Sequence, residues 1–252
     1  MAPSANPIVV IPARAASTRL PGKPLADLAG EPMIVHVWRR AVAAGVGPVL
    51  VACDGSEIAD AVAAAGGEAV LTRLDHASGT DRVFEAVETR DPERRFDVVV
   101  NLQGDLPTLD PTALRAVFAP LAEPGVDIAT LVAPVSDPGE RDDPNVVKAA
   151  LSFAPGARVA RALYFSRSPV PWSADEESAL FHHIGVYAFR RPALTRFVAL
   201  APTPLERRER LEQLRALEAG MRIDAALIDT VPLGVDTPAD LERARALMSA
   251  GA

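Results

Sequence analysis

The chain of 252 residues carries 26 Lys and Arg against 33 Asp and Glu, a formal charge of −7. That balance argues against a nucleic-acid partner, because phosphate backbones are met by broad basic surfaces. Hydrophobic residues make up 49%, ample for a packed core, while no apolar run approaches the ~20 residues of a membrane-spanning helix. The opening Met-Ala-Pro-Ser-Ala-Asn-Pro lacks the charged start and apolar stretch of a secretory signal. The single cysteine, Cys53, has no internal disulfide partner and sits in an apolar run, which fits a buried thiol in a reducing cytoplasm.

In chain order, apolar runs at 8–11, 49–53, 68–71 and 98–102 read as strands. Helical periodicity at 33–44, 56–65, 79–89 and 111–121 falls between and after them. Strands that are continuously Val, Ile and Leu, rather than alternating, suggest a parallel sheet covered on both faces. The β-α-β rhythm predicts a doubly wound layer. The second half is less regular, with strands expected at 127–135, 145–153, 158–165, 183–189 and 222–229. Helices are expected there at 192–200, 204–219 and 238–250, and the acidic stretch 173–178 reads as a solvated loop. The expectation is one α/β domain over 1–252, a single mixed-sheet fold. Its Rossmann-like N-terminal half covers about 8–125, and an antiparallel-rich second half covers about 126–248.

The segment Pro12-Ala-Arg-Ala-Ala-Ser-Thr-Arg-Leu-Pro-Gly-Lys-Pro24 follows the first strand and holds Arg14, Arg19 and Lys23, with no acid before Asp27. It is neither a Walker A motif nor a G-x-G-x-x-G fingerprint. A purely basic loop at the carboxyl end of a buried strand, on an acidic protein, suggests a grip on a small polyanion such as a nucleotide. A solvated loop capping the sheet is the plainer alternative. After the fourth strand, Gln103-Gly-Asp105 puts a carboxylate at a strand end, a good place for Mg²⁺, or simply a turn. In Gly234-Val-Asp-Thr-Pro-Ala-Asp240, Thr237, Pro238 and Asp240 fit a helix start, which leaves Asp236 as a second carboxylate for the same metal.

The loop from Asp75 to Arg82 offers Ser78 and Gly79 either for anion or base-edge contacts or as a helix cap. On a helix over 204–219, Glu206, Glu209 and Gln213 would share one stripe, either a solvated face or a set of partners for sugar hydroxyls. His183 reads more readily as a satisfied structural histidine than as a ligand, and no His/Cys spacing resembles a zinc site.

The order of these segments carries more than any one of them. Ile11-Pro-Ala-Arg14, Ser17-Thr-Arg-Leu-Pro-Gly-Lys-Pro-Leu25, Asp75-His-Ala-Ser-Gly-Thr-Asp-Arg82 and Gln103-Gly-Asp105 are followed by Tyr164-Phe-Ser-Arg-Ser-Pro-Val-Pro-Trp172. His183-Ile-Gly-Val-Tyr187, Leu211-Glu-Gln-Leu-Arg215 and Gly234-Val-Asp-Thr-Pro-Ala-Asp-Leu241 complete the series. Together, over about 8–248, they resemble the 3-deoxy-manno-octulosonate (KDO) cytidylyltransferase family. The resemblance implies CMP transfer from CTP to KDO for lipopolysaccharide assembly, with Mg²⁺, in a cytoplasmic homodimer.

It implies that Pro12, Ala13, Arg14, Arg19 and Lys23 hold the CTP phosphates, that Ser78, Gly79 and Gln103 select cytosine, and that Asp105 and Asp236 coordinate magnesium. Lys23, Asp105, Asp236 and Arg14 would be the catalytic set. Arg167, His183, Glu209, Glu212 and Gln213 would contact KDO, the helical stripe favouring Glu209 and Gln213. The chain departs from the family pattern at Ala15, often tyrosine; at Leu106, where a glutamate is common; and at His182, commonly a basic residue.

Overall fold

A computed structural model describes residues 6–16, 19–174 and 179–250. Ser17 and Thr18 of the basic loop, and residues 175–178 of the acidic stretch, lie outside the described residues. The chain divides into two compact units, one running to Leu114 and resuming at Pro232, the other Arg115–Val231.

In the first unit, strand β1 (Pro7–Ala13) leads through a one-turn 3₁₀ helix (Lys23–Leu25) and a two-residue hairpin, β2 (Asp27–Leu28) and β3 (Glu31–Pro32), into helix α1 (Met33–Ala44). Then come β4 (Val49–Cys53), α2 (Ser56–Ala64), β5 (Glu68–Leu71), α3 (Gly79–Arg90) and β6 (Val98–Asn101). The strands lie in the order β5-β4-β1-β6, all parallel, with Val9 opposite both Val49 and Val100. Cys53 is fully buried, as are the facing valines of β1 and β6. The strand order reverses beside β1, the switch point outside whose carboxyl ends a doubly wound sheet binds ligands.

The helix expected over 111–121 is shorter. It is α4 (Pro111–Ala116), followed by a 3₁₀ turn at Ala119–Ala122. Pro120 accounts for this, since a proline ring clashes with the carbonyl four residues earlier, here that of Ala116.

In the second unit, β7 (Ile128–Pro134) is followed by α5 (Pro138–Asp142), β8 (Lys148–Ala150), β9 (Val159–Arg161), β10 (Tyr164–Ser166) and β11 (Phe181–Arg190). The helices α6 (Arg191–Val198), α7 (Pro204–Glu209) and α8 (Leu214–Glu218) precede β12 (Ile223–Leu227). β11 pairs antiparallel with β7, β12 runs parallel to β7 and antiparallel to β9, and β8 pairs with β10 and β11. The sheet is mixed, as expected, but the single strand foreseen at 158–165 is two. The Ala162 N–H donates to Ile223 at 2.9 Å and the Leu163 N–H to Ala150 at 2.9 Å, so the chain changes partners between them.

The helix foreseen at 204–219 is also broken. Arg210 adopts the left-handed conformation (φ 56°), and the Leu211 N–H reaches back to the Glu206 carbonyl at 3.3 Å, which closes α7. Glu209 and Gln213 therefore do not share a helical stripe.

The last helix, α9 (Pro238–Ala250), belongs to the first unit. Its Leu241 and Ala244 pack with Val235, Leu28 and Met33 in a buried apolar cluster. Among the described residues no helix is long and apolar enough to cross a membrane.

At Gly104 a Cβ would come within 2.8 Å of the Pro12 carbonyl oxygen, so the ends of β1 and β6 approach each other only because no side chain intervenes. Gly104→Ala is expected to cost about 1–3 kcal/mol by forcing the backbones apart, read as a lower urea midpoint at unchanged slope. An unchanged midpoint would show that the contact carries no constraint.

Candidate active site

The carboxyl ends of β1 and β6 open on a cleft of about 430 Å³, within the range of small-ligand sites. Pro12, Ala13 and Arg14 form one wall, Ser78 and Gly79 another, and Gln103 and Asp105 lie on its floor. Gly22 turns the basic loop with φ 66°, so that Lys23 starts the 3₁₀ helix and faces inward. Its ammonium donates to Asp105 Oδ2 at 2.8 Å and to Asp236 Oδ1 at 3.1 Å, while Arg19 pairs with Asp236 Oδ2 at 3.0 Å. Burial disfavours the charged lysine, but the two carboxylates, Asp105 ahead of Asp236, outweigh it and hold the pKa above the ordinary value. The Val235 N–H donates to the Asp105 carbonyl at 2.9 Å, which fastens the two aspartate-bearing segments together. Arg14 is exposed and makes no ion pair with the described residues.

The support beneath this wall lies in residues that the sequence reading passed over. Asp54, the residue after β4, accepts from the Ala15 N–H at 2.9 Å and pairs with Arg82 at 3.1 Å. Both side chains are buried, 6% and 4% exposed, and Arg82 also donates to Thr72 and to the Arg73 carbonyl. The strand-end argument applied to Asp105 applies equally to Asp54. His76 also lines the cleft, its ring held by Glu85.

Ser78 is the N-cap of α3, its hydroxyl accepting from the Asp81 N–H at 3.2 Å, so the structural role foreseen for it holds. Gln103 donates to Asn101, which donates to Thr80, a chain that orients the amide on the cleft floor. Asp240 likewise takes its structural place. It accepts from Thr237 and from the Asp236 N–H, and although burial pushes its pKa up, hydrogen bonds from Arg243 and Thr237 bring it down to about 2. Leu106 is buried, 8% exposed, and packs beside Gly234, so apolar contact replaces whatever a carboxylate would do there.

Among the described residues no three acidic, histidine or cysteine side chains gather as a metal cluster. Asp105 and Asp236 do converge on one point, that of the Lys23 ammonium. Two carboxylates beside a phosphate-sized cleft form a donor set that suits Mg²⁺, which takes one or two carboxylates and completes its shell with water and substrate phosphates.

The other candidates lie together in the second unit. Glu209 accepts from Tyr164, from Ser166 at 2.9 Å and from the Arg167 N–H at 3.0 Å. The Arg167 guanidinium donates to the carbonyls of Glu209 (2.8 Å), Pro144 (2.7 Å) and Arg210 (3.4 Å). This clamp caps the end of α7 and stabilises the break at Arg210. Lys148, fully buried, donates to the Asp143 carbonyl at 2.7 Å and reaches the Arg167 carbonyl at 3.5 Å. His183 shares a 3.0 Å hydrogen bond with Thr130 and packs edge-on to Phe165; burial, then His182, lowers its pKa to about 3. Tyr187 is pushed up by burial and then by Glu212. Gln213 is 6% exposed, and its Nε2 has no hydrogen-bond partner among the described residues.

A basic loop thus faces two convergent carboxylates at the switch point of a parallel sheet, where such sheets bind ligands. The cytidylyltransferase family model matches residues 8–223. The chain is 67% identical to the 3-deoxy-manno-octulosonate cytidylyltransferase of Paramagnetospirillum magneticum, over 97% of this chain and 98% of that one. It is 66% identical to the Rhodospirillum centenum protein of the same name, over 96% and 93%. A solved CMP:2-keto-3-deoxy-manno-octonic acid synthetase complexed with CTP superposes with a TM-score of 0.89 at 40% identity, covering 98% of this chain and all of that one. The chain belongs to the 3-deoxy-manno-octulosonate cytidylyltransferase family.

The unfolded imidazole of His183 gains a proton below about 6.5, whereas the native one resists until about 3. Stability therefore falls as pH drops through that window, by up to about 1.4 kcal/mol per pH unit. His183→Gln is expected to flatten the loss in urea titrations at pH 7 and pH 5, and parallel curves for both proteins would refute it. Asp54→Ala is expected to cost about 3–5 kcal/mol by stranding the Arg82 guanidinium, measured by chemical denaturation. A cost below about 1 kcal/mol would mean that Arg82 is solvated.

Proposed function

We propose that this chain transfers the cytidylyl group of CTP to the anomeric hydroxyl of 3-deoxy-D-manno-octulosonate, releasing pyrophosphate and activating the sugar acid for lipopolysaccharide assembly. The observation that carries this reading is the convergence of Lys23, Asp105 and Asp236 at the carboxyl end of β1. The C2 hydroxyl oxygen bonds to the α-phosphorus of CTP as the bond to the bridging oxygen of the departing pyrophosphate breaks, and the hydroxyl proton leaves to solvent. Such a transfer needs positioning and charge neutralisation more than covalent help from the protein.

Arg14, exposed on the cleft wall, and Arg19 and Lys23 at the loop's end grip the triphosphate, with the backbone of Pro12 and Ala13 beneath. Gln103, aimed by Asn101, and the Ser78-Gly79 turn read the cytosine edge. Asp105 and Asp236 hold Mg²⁺, which when bound neutralises phosphate charge and lowers the pKa of the attacking hydroxyl. On the sugar side, Gln213 is the foremost ligand, because its buried amide has a donor to give. Glu209 and His183 serve mainly to shape the site, since Glu209 holds β10 and His183 is bound to Thr130. Arg167 keeps two N–H groups beyond those spent on carbonyls, and Glu212 lies beside Tyr187.

The protein works as a cytoplasmic homodimer, which sedimentation of the purified chain tests. The first unit takes the nucleotide and the second the sugar acid.

Pyrophosphate release across nucleoside triphosphates and keto-sugar acids, with and without Mg²⁺, tests the reaction. Release with CTP plus KDO alone, dependent on Mg²⁺, is expected. Release with a different acid moves the substrate, and nucleotide binding without any release points to a regulator. Asp105→Asn is expected to lower kcat by about 10²-fold or more with the fold intact, and near-normal turnover at saturating Mg²⁺ would remove Asp105 from the metal site. Lys23→Ala is expected to lose a similar factor, and wild-type kinetics would take it out of the phosphate grip.

A further inference from the structure

The two carboxylates assigned to the divalent ion are already engaged by cations of the chain. Lys23 stands between them at 2.8 and 3.1 Å, and Arg19 holds the second oxygen of Asp236 at 3.0 Å. Two positive charges thus match two negative ones. An ammonium and a hard divalent ion prefer the same place, within about 3 Å of both carboxylates, and like charges cannot share it. The lysine therefore competes with the metal for its ligands. A triphosphate alters that balance, because it offers Lys23 and Arg19 new anionic partners and itself carries oxygens for the ion.

Resting on the reading of Asp105 and Asp236 as the metal ligands, we infer that Lys23 is a stand-in cation for the divalent ion, and that it makes metal entry conditional on nucleotide. As the nucleotide docks, the ammonium would pass from carboxylates to phosphates, leaving Asp105 and Asp236 free to hold the ion. Until then it keeps the two aspartates together, although like charges alone would drive them apart. Position 23 suits this exchange. The residue heads a single 3₁₀ turn after a left-handed glycine, and its side chain keeps 17% exposure toward the cleft. By reciprocity, metal and nucleotide each tighten the other's binding by the same factor.

The probe is Mn²⁺ alone, titrated into the full chain, with free ion followed by electron paramagnetic resonance, so no turnover is needed. Wild type is expected to bind Mn²⁺ weakly, and a non-hydrolysable CTP analogue to tighten it by about 5- to 150-fold. Lys23→Met, of similar length but uncharged, is expected to bind Mn²⁺ alone roughly tenfold or more tighter than wild type, a change worth about 1.4 kcal/mol or more. Lys23→Gln is expected to do the same, and Lys23→Arg to stay weak, circular dichroism confirming that each variant is folded. Equal Mn²⁺ affinity in wild type, Lys23→Met and Lys23→Gln overturns the inference.

Asp105→Asn separates this outcome from failure of the metal reading. If it abolishes the analogue-dependent Mn²⁺ binding of wild type, the carboxylate is a ligand whatever Lys23 does. If it leaves that binding intact, the metal assignment itself fails and the stand-in role falls with it.

Discussion

The link that assembles the first unit's cleft is the Lys23 ammonium shared by Asp105 and Asp236. It joins residues 82 and 213 positions apart in the chain, and so brings a loop after β1, the end of β6 and the approach to α9 to one point. With Asp236 at 45% side-chain exposure, the ion pairs are too solvated to account for much folding energy. The apolar cluster of Leu28, Met33, Val235, Leu241 and Ala244 does that work, each large side chain contributing about 1.5–3 kcal/mol on burial. Packing brings Asp236 into reach, and electrostatics then chooses its orientation.

A second ion pair shows the opposite division. Asp54 and Arg82 are almost wholly removed from water, so each charge is tolerated only because the other, and further hydrogen bonds, answer it. One oxygen of Asp54 remains for the Ala15 N–H, which couples the basic loop to the rigid edge of β4 and α3. The loop is thus positioned from below by a pair whose geometry is over-determined. Of the ions it presents to the cleft, Arg19 stays solvated, with 59% side-chain exposure, while Lys23 keeps 17%.

Much of the first unit could be read from the chain because its signals are local. Unbroken Val and Ile runs mark strands buried on both faces, and Gly22, Ser78 and Thr237 mark turns and caps by their own chemistry. Asp105 stood out by its place at a strand end, and Asp236 because the neighbouring helix start did not need it. Asp54 escaped because a lone acid after a strand has the same local appearance whether it meets a substrate or a buried arginine 28 positions along the chain; only the fold distinguishes them. In the second unit the signals are tertiary. Arg158 to Phe165 has strand character throughout, yet the strand changes partners at Leu163, and nothing within eight residues encodes the position of Ile223 or Ala150. The helix over 204–219 failed for a similar reason. Leu, Glu and Arg all favour helix, so propensity predicts continuity, and the interruption comes from Arg167, more than forty residues away, drawing the carbonyls of Glu209 and Arg210 to itself.

That interruption also separates two side chains that a continuous helix would align. On a continuous helix Glu209 and Gln213 would stand one turn apart on the same face, two acceptors and donors for one ligand. The left-handed residue at Arg210 separates them. Glu209 turns to β10 and the residue after it, where three donors occupy it, and Gln213 turns inward to near-complete burial, its amide nitrogen without a hydrogen-bond partner among the described residues. The charged groups of this region are largely spent on the protein itself, Lys148 and three of the Arg167 N–H groups on carbonyls and Glu209 on hydroxyl and amide donors. The two buried neutral groups left there, the Gln213 amide and the His183 imidazole, offer directional hydrogen bonding rather than charge.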